Sequence, residues 1–224
     1  MRIVFVAGVA AVLFAAVAPA GAWAQELEDY DYENLSLRGI SLEGGYLKAD
    51  NAENTETLGV RFDLGYLGPG FRLMSGVTYW ESTMAEAEVD EFEARLGTLS
   101  QTQGGAVPPG GFDLDIIDRS DFVVSLDGDY VWAVPLKLFF STGVGLSVHF
   151  LNGSGAAIDE TFVEDLLDSV SAGFNLHAGL EYPLWNRVRL HGGSRIEVLG
   201  DLNYFEFRGG LTFLWGGLVQ GEAR

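Results

Sequence analysis

Apolar residues recur at every second position along most of the chain, which is the pattern of β-strands. In the segment 58–66, Leu58, Val60, Phe62, Leu64 and Tyr66 alternate with glycine, arginine and aspartate. Because successive side chains of a strand point to opposite faces, one face of this segment is wholly apolar. The same period predicts eight strands, at about 37–48, 57–67, 71–81, 119–132, 136–150, 169–182, 187–198 and 204–215.

The connectors between these strands are of two kinds, as expected for consecutive antiparallel hairpins. The short connectors are tight turns at 68–70, 133–135 and 183–186. The long connectors include 82–118 and 151–168, in which the apolar spacing predicts helices over 84–99 and 159–167. The glycine- and proline-rich stretch 104–111 is predicted to be an irregular loop.

The polar face of the predicted strands suits the inside of a barrel. An eight-stranded sheet can form an open sandwich, a soluble ligand-binding barrel or a membrane barrel, since all three alternate apolar with polar residues. In the fifth strand, however, the polar face carries Ser141, Gly143, Gly145 and Ser147. A face in water normally carries many lysines and glutamates, whereas small residues suit a crowded interior. The apolar face is therefore predicted to contact lipid.

Aromatic residues occupy both ends of the predicted apolar face. They form two girdles, with Tyr66, Tyr130, Tyr182 and Trp215 at the short-turn end and Tyr46, Tyr79 and Phe150 at the long-loop end. Amphipathic rings at two lipid–water interfaces would produce this arrangement. The alternative is that strand-forming aromatic residues cap the core of a soluble protein.

The last strand supplies a family resemblance. Residues 205–215 alternate between apolar and polar positions and end on Trp215. In this the chain resembles small bacterial outer-membrane barrels of the OmpA/OmpX type, whose C-terminal strand commonly serves as an assembly signal ending in an aromatic residue. The resemblance implies an all-β, eight-stranded antiparallel up-and-down transmembrane β-barrel with long extracellular loops. It also implies outer-membrane lipid, lipopolysaccharide and the outer-membrane assembly machinery as partners. The chain departs from the pattern because residues 216–224 follow the aromatic.

The N-terminus is predicted to be a cleaved secretory signal peptide over residues 1–24. Arg2 precedes an apolar run over 3–18, and Ala22 and Ala24 are small residues two apart, so we expect cleavage after Ala24. A membrane anchor is the alternative, but the run is short for a bilayer span. The barrel domain would then comprise residues 25–224, with a short periplasmic segment over 25–36.

Composition excludes several functions. The net charge of −19 argues against nucleic acid as a partner, because phosphate binding needs clustered lysine and arginine. The chain has no cysteine, which excludes disulfides, thiolate metal sites and cysteine nucleophiles. The acidic residues concentrate in the segments between the predicted strands.

Charged residues in the inward phase predict an ion-pair network in the lumen. An eight-stranded barrel is only wide enough for side chains to fill, so these groups should meet one another. The turns are expected to set Glu181 against Arg189, Asp129 against Lys137, and Arg195 against Glu206. The predicted network comprises Glu43, Arg61, Asp63, Arg72, Asp129, Lys137, Glu181, Arg189, Arg195, Glu206 and Arg208. Such a network would block the lumen.

The sequence predicts neither an enzyme nor a resident metal or cofactor. His149 with Ser147 is the best local candidate for a hydrolytic triad, but its phase points inward, and His191 and Ser194 lie on opposite faces. The histidines lack ligand spacing, and Asp113, Asp115 and Asp118 do not follow the pattern of a calcium loop. Divalent cations could still bridge these loop carboxylates to lipopolysaccharide phosphates.

The resulting functional prediction is an outer-membrane barrel with a plugged lumen and a structural or surface-interaction role. The alternatives are a narrow OmpW-like channel for small or apolar solutes, a lipid A-modifying enzyme and a soluble periplasmic ligand-binding barrel. The connector 82–118 is long, and long loops in compact domains are commonly functional. Its apolar residues would let it fold over the barrel mouth or contact a partner.

Overall fold

The computed structural model describes residues 35–102, 104–105, 107–158, 161–200 and 202–215. The predicted signal peptide and most of the predicted periplasmic segment lie outside the described residues and stay predictions.

All eight predicted strands are present, most of them slightly longer than predicted. They are β1 (Leu35–Ala49), β2 (Thr55–Gly68), β3 (Phe71–Thr83), β4 (Asp118–Val134), β5 (Leu138–Ser154), β6 (Ser169–Trp185), β7 (Val188–Val198) and β8 (Asn203–Leu214). The predicted antiparallel arrangement is confirmed for every neighbouring pair.

The sheet closes on itself because β1 pairs with both β2 and β8. The β1–β8 ladder runs without interruption from Gly39 opposite Leu214 to Ala49 opposite Tyr204. Closure gives every strand two neighbours, so no row of backbone N–H and C=O groups is left at a sheet edge. The predicted eight-stranded barrel is thereby confirmed.

The connectors lie at two different ends of the barrel. At the turn end, β2 and β3, β4 and β5, and β6 and β7 are joined by short turns, one of which is a 3₁₀ helix over Pro135–Lys137. At the loop end lie helix α1 (Glu86–Thr102) and helix α2 (Phe162–Leu167). Both predicted helices exist, but α2 begins later than predicted, where the Thr161 hydroxyl accepts from the Val163 N–H at 3.2 Å.

The two longest connectors pack against each other through one apolar cluster, which we call the loop core. Its buried members are Met84, Val89, Leu96, Leu114, Ile117, Ile158 and Val163. The backbone pairing of β3 with β4 continues one residue into this connector, since the Met84 N–H donates to the Ile117 carbonyl at 2.8 Å. The connector 82–118 is therefore folded around a core that it shares with the connector 151–168.

No helix among the described residues is long and apolar enough to cross a membrane.

The apolar faces of the strands point outward. Leu58 is 72% exposed and Leu146 is 67% exposed, whereas charged residues of the opposite phase, such as Asp127 and Glu197, are fully buried. A soluble barrel would show the reverse, with apolar side chains inside. The predicted assignment of the two faces is confirmed by these exposures.

Six of the seven predicted girdle residues lie on the outer face. Tyr46, Tyr79 and Phe150 are exposed toward the loop end, Tyr130 and Tyr182 lie on the outward phase toward the turn end, and Trp215 is exposed just after β8. The girdles as membrane-interface anchors stay a prediction.

Tyr66 is the exception, because the strand register shifts before it. Gly65 adopts a φ of 94° within an irregularity between Asp63 and Tyr66, so that Tyr66 lies opposite the lumen residue Arg72. Direct cross-strand partners point to the same face, and the Tyr66 hydroxyl oxygen is accordingly buried. The prediction that Tyr66 belongs to the outer girdle is therefore wrong, since one extra residue in a bulge reverses the phase.

Candidate functional site

Every strand contributes ionisable side chains to the barrel interior. Among the described residues they comprise eight carboxylates, five guanidinium groups and three imidazoles. They are Glu43, Arg61, Asp63, Arg72, Asp121, Asp127, Asp129, His149, His177, Glu181, Arg189, His191, Arg195, Glu197, Glu206 and Arg208. We call this set the lumen network.

Glu43 is one centre of the network at the turn end. Its carboxylate lies 3.1 Å from Arg61 Nη1, 3.6 Å from Arg208 Nη1 and 3.0 Å from His191 Nε2. Arg61 extends the network, because its Nη2 lies 3.7 Å from Asp129 Oδ2. The three partners of Glu43 come from β2, β7 and β8, and Arg61 adds Asp129 of β4, so this cluster joins strands on several sides of the lumen.

Asp129 and Glu181 share Arg72. The Arg72 Nη2 atom donates to Asp129 Oδ2 at 2.9 Å and to Glu181 Oε1 at 2.5 Å. Arg189 Nη1 donates to the other oxygen of Glu181 at 3.1 Å, and His177 Nε2 contacts Asp129 Oδ1. Each carboxylate thus has at least two partners, as buried charges require.

The loop-end half of the network is built around Arg195. Its side chain donates to Glu197 at 2.7 Å and lies 3.7 Å from Asp127 Oδ2. Asn175 connects this half to the other, since its amide donates to Asp127 Oδ1 at 3.0 Å and its carbonyl contacts His177 Nδ1 at 2.8 Å. The network is therefore continuous from one half of the lumen to the other.

A serine, a histidine and an aspartate also meet in the lumen. His149 Nδ1 lies 2.7 Å from Asp121 Oδ2, and His149 Nε2 lies 2.9 Å from Ser147 Oγ. These are triad distances, but the Ser147 hydroxyl also contacts Glu197 Oε1. A Cβ atom on Gly173 would lie 2.6 Å from Glu197 Oε1 and 2.8 Å from His149 Nε2. The space beside Gly173 is therefore filled by the side chains of Ser147, His149 and Glu197.

Glycines make room for the charged side chains. A Cβ atom on Gly145 would lie 2.5 Å from Asn175 Nδ2, and one on Gly143 would lie 2.5 Å from His177 Nε2 and 2.8 Å from Asp129 Oδ1. Such contacts are too short for any side chain, so the small residues of β5 are the reason that charges from β4 and β6 can meet. The prediction that small residues indicate a crowded interior is confirmed here.

Two of the three predicted ion pairs hold only in part, one in its contact and the other in its register. Arg189 does contact Glu181, although Glu181 lies directly opposite His191 rather than Arg189. Arg195 lies directly opposite Glu206 as predicted. Its ion pairs, however, go to Glu197 and Asp127, while Glu206 Oε1 accepts from the Thr57 hydroxyl at 2.6 Å.

The predicted pair of Asp129 with Lys137 is wrong. Lys137 is exposed in the 3₁₀ turn, where its φ is 62°, and Asp129 lies opposite Gly143. The error came from the position of the turn, since β4 continues to Val134 and the turn follows at 135–137. Lys137 therefore does not belong to the lumen network.

Asp63 adds a negative charge to the lumen and also accepts a hydrogen bond from the backbone. It is buried, and its Oδ1 accepts from the Gly65 N–H at 2.9 Å. This bond stabilises the bulge that turns Tyr66 into the lumen. Sequence reasoning placed Asp63 inside correctly but did not predict the bulge, for which Gly65 was the available signal.

A small polar cavity lies within the network. It has a volume of about 30 Å³ and is lined by charged residues that include Glu43, Arg61, Arg72, Asp129 and His177. A space of this size and polarity accommodates one or two water molecules. Toward the loop end, buried residues form an apolar cluster above the charges, which we call the lumen cover: Leu47, Trp80, Leu151, Leu199, Leu202 and Tyr204.

The outer wall carries a shallow groove of about 980 Å³ near the loop end of β1, β2, β3 and β8. It is lined by the outward-facing Tyr46, Leu58, Tyr79 and Phe207, by Gly44, and by three residues of the inward phase, Thr57, Trp80 and Arg208. The backbone ladders beneath it are intact. The groove therefore lies over a part of the wall in which the strands are paired without a break.

In the part of the chain that the structure describes, no three histidine or acidic residues are grouped so that they could hold a metal ion. Asp113 and Asp115 of the loop are exposed, as is Asp118, the first residue of β4. Cation bridging from these carboxylates to lipid phosphates stays a prediction.

Comparison with known proteins identifies the fold. No protein-family model matches the chain, and no curated protein matches it. Neisserial surface protein A is 12% identical with a TM-score of 0.55, over 82% of this chain and 100% of that one. Ail, the attachment invasion locus protein of Yersinia pestis, is 10% identical with a TM-score of 0.47, over 82% of this chain and 99% of its own. The likeness to the neisserial protein confirms the predicted eight-stranded barrel fold.

Proposed function

We propose that the protein is an integral β-barrel of the bacterial outer membrane, with a closed lumen and a structural or interaction role at the cell surface. The observation that carries the proposal is the reversed polarity of the barrel. Leucine, phenylalanine and valine side chains point outward along the strands, whereas charges from all eight strands lie inside. Lipid is the environment that makes this arrangement favourable.

Closure of the sheet supports a membrane location. Hydrocarbon offers no hydrogen-bond partners, and an unpaired backbone group there costs several kcal/mol. The β1–β8 ladder removes the last edge of the sheet. Outer-membrane lipid and lipopolysaccharide would surround the wall. The alternating last strand with Trp215 would be recognised by the outer-membrane assembly machinery.

The lumen network and the lumen cover support a closed lumen. The charged side chains pair across the interior, and the cavity among them has a volume of about 30 Å³. Above them, Trp80 and Leu47 are almost completely buried in the apolar cover. A conducting pore would require both layers to separate, and separating buried ion pairs is strongly unfavourable.

The loop end supports an interaction role. With both termini in the periplasm, the loop core and α1 would face the cell exterior. The loop core holds α1 in place, and the exposed side of this unit presents acidic residues together with Leu99 and Ile116, which is 63% exposed. An ordered, solvent-facing unit of this kind is suited to contact a partner or to protect the barrel mouth.

The alternative functions have less support. An OmpW-like channel with a lateral opening needs a gap in the wall, whereas all eight ladders connect neighbouring strands. A lipid A-modifying enzyme needs a reactive group on the lipid face, whereas Ser147 and His149 are buried inside. A soluble periplasmic barrel would expose a large apolar surface to water.

Membrane fractionation with heat-modifiable gel migration tests the location and the closed fold together. We expect the protein in the outer-membrane fraction, migrating differently when unheated. Recovery as a soluble periplasmic protein would contradict the proposal.

Single-channel recording in planar bilayers tests the closed lumen. We expect no large, stable conductance from the wild type, and more frequent openings from a variant without the Trp80 side chain, Trp80→Ala. A large, stable conductance from the wild type would contradict closure.

A further inference from the structure

The exposed charges of the barrel differ in sign between its two ends. At the loop end most of them are acidic, and they include Glu53, Glu56, Glu81, Glu86, Asp90 and Glu91. The turn end comprises residues 35–40, 64–71, 130–141, 182–190 and 211–215, and these segments contain no aspartate or glutamate. The whole chain has 32 acidic and 13 basic residues, so this end departs strongly from the rest of the protein.

Three basic residues contribute positive charge to the surface of the turn end. Lys137 and Arg187 are exposed in the turns that follow β4 and β6, and Arg38 of β1 is half-buried. Backbone hydrogen bonds hold two of them on either side of the end of β8. The Leu214 N–H donates to the Arg187 carbonyl at 2.8 Å, and the Trp215 N–H donates to the Arg38 carbonyl at 2.6 Å. The three bases therefore occupy fixed and separate places around the rim.

Three tryptophans accompany these bases. Trp185 and Trp215 are exposed, and Trp132 of β4 is half-buried. Tryptophan favours the level of lipid headgroups, where its ring contacts the apolar layer and its N–H contacts water. The turn end thus combines positive charge with the aromatic side chain that is most typical of a membrane interface.

The turn that presents Lys137 has an unusual backbone. The φ angle is 71° at Leu136 and 62° at Lys137, so both central residues of this hairpin turn are left-handed. Such turns normally contain asparagine and glycine, because other side chains are unfavourable there. A basic residue that is held in an unfavourable conformation at an exposed tip indicates a use for its charge.

The distribution of these side chains favours a membrane over a protein as the partner. Lys137 lies between β4 and β5, Arg187 lies between β6 and β7, and Arg38 lies on β1. A planar lipid layer surrounds the barrel and reaches all three places, whereas a protein docked on one side would reach only some of them. Lysine and arginine at such a surface attract lipids with a net negative headgroup.

We propose that the turn end of the barrel binds anionic phospholipids, whose headgroups contact Lys137 and Arg187, with Arg38 adding positive charge between them. The inference rests on the proposed membrane location and adds the class of lipid that surrounds one rim. Each base close to an anionic surface favours binding about fivefold. The acidic residues within 26–33 precede β1 and lie outside the described residues. The test therefore uses protein that retains this segment.

Tryptophan fluorescence reports on the lipids beside this rim. Of the tryptophans that the structure describes, Trp132, Trp185 and Trp215 lie at the turn end, whereas Trp80 is buried in the lumen cover. Bromine atoms on an acyl chain quench a tryptophan only at short range. The protein, purified from the membranes of an expressing bacterium, is reconstituted into vesicles of equal parts phosphatidylglycerol and phosphatidylcholine, with bromine on one lipid or on the other.

We expect brominated phosphatidylglycerol to quench the wild type more strongly, with a relative affinity of about fivefold over phosphatidylcholine. High salt should reduce this preference, because salt screens exposed charges. The double variant of Lys137→Gln with Arg187→Gln should lose most of it. Lys48→Gln is the matched control, since Lys48 is an exposed base near the loop end, and it should retain the preference.

The outcomes separate this proposal from the proposed function. Equal quenching of the wild type by both brominated lipids would overturn the preference and leave the membrane location intact. A preference that persists in the double variant would overturn the assignment to Lys137 and Arg187. Absence of quenching by either lipid would contradict the membrane location itself.

Discussion

Arg72 and Asp129 are direct cross-strand partners on β3 and β4, and their side chains form a 2.9 Å ion pair inside the lumen. The connector between these strands is long and contains α1, yet the pair lies near the opposite, turn end of the barrel. Register is therefore maintained along the whole β3–β4 ladder, and the ion pair is one of the contacts that fix it.

Replacing Arg72 should destabilise the barrel strongly. In Arg72→Met, Asp129 and Glu181 each lose a buried cation, and breaking a buried pair in this way costs about 3–5 kcal/mol. Urea unfolding followed by tryptophan fluorescence measures the change. Arg95→Met is the control, because its pair with Glu91 is 68% and 57% exposed and should contribute at most about 1 kcal/mol. Equal effects of the two substitutions would contradict the role of Arg72.

A single added methyl group in the lumen should also destabilise the fold. In Gly145→Ala the new Cβ would lie 2.5 Å from Asn175 Nδ2, and overpacking of this kind costs about 1–3 kcal/mol. Gly97→Ala in α1 is the matched control, because nothing lies within 4 Å of its Cβ position. Alanine has a higher helix propensity than glycine, so Gly97→Ala should leave the free energy of unfolding unchanged or raise it by up to about 1 kcal/mol. The same unfolding experiment reports both changes.

A charge on the outer face should be tolerated only outside the lipid. Leu146 lies at the middle of β5 and is 67% exposed, so Leu146→Arg should cost about 2–4 kcal/mol in a bilayer. Leu136→Arg is the control, since Leu136 is 82% exposed in the 3₁₀ turn, and it should change stability by less than about 0.5 kcal/mol. Reversible unfolding from lipid vesicles gives both values. A neutral Leu146→Arg would indicate that this face contacts water.

The Ser147, His149 and Asp121 arrangement should show no hydrolytic activity. Because Ser147, His149 and Asp121 are buried inside the barrel, the wild type and His149→Ala should release equally little acyl chain from lipid A. Mass spectrometry of the lipid A measures this release. Acyl release that disappears in His149→Ala would show that the lumen opens to a substrate.

The position and facing of the strands could be predicted because alternation is a local property. Once a strand is in register, the face of each side chain depends only on whether its position is odd or even, as the exposed Leu146 and the buried Ser147 show. The same rule failed at Tyr66, where a bulge at Gly65 added one residue to the strand. It also failed for Lys137, where the turn began later than expected.

The loop core could not be predicted from alternation. Its members Leu96 and Ile158 come from connectors separated by two complete strands, and they meet only because the barrel brings the loop ends of β3–β6 together. The apolar residues of 82–118 indicated a folded loop, but not the connector against which it packs.

The sequence by itself determined that the chain forms eight antiparallel strands with charges on one face and apolar residues on the other, since each of these depends on neighbouring positions. Only the tertiary structure decided which charges meet. Glu197 of β7 reaches Ser147 of β5 because Gly173 of the intervening β6 has no side chain. Contacts of this kind depend on barrel closure, turn length and local bulges, which bring together residues far apart in the chain.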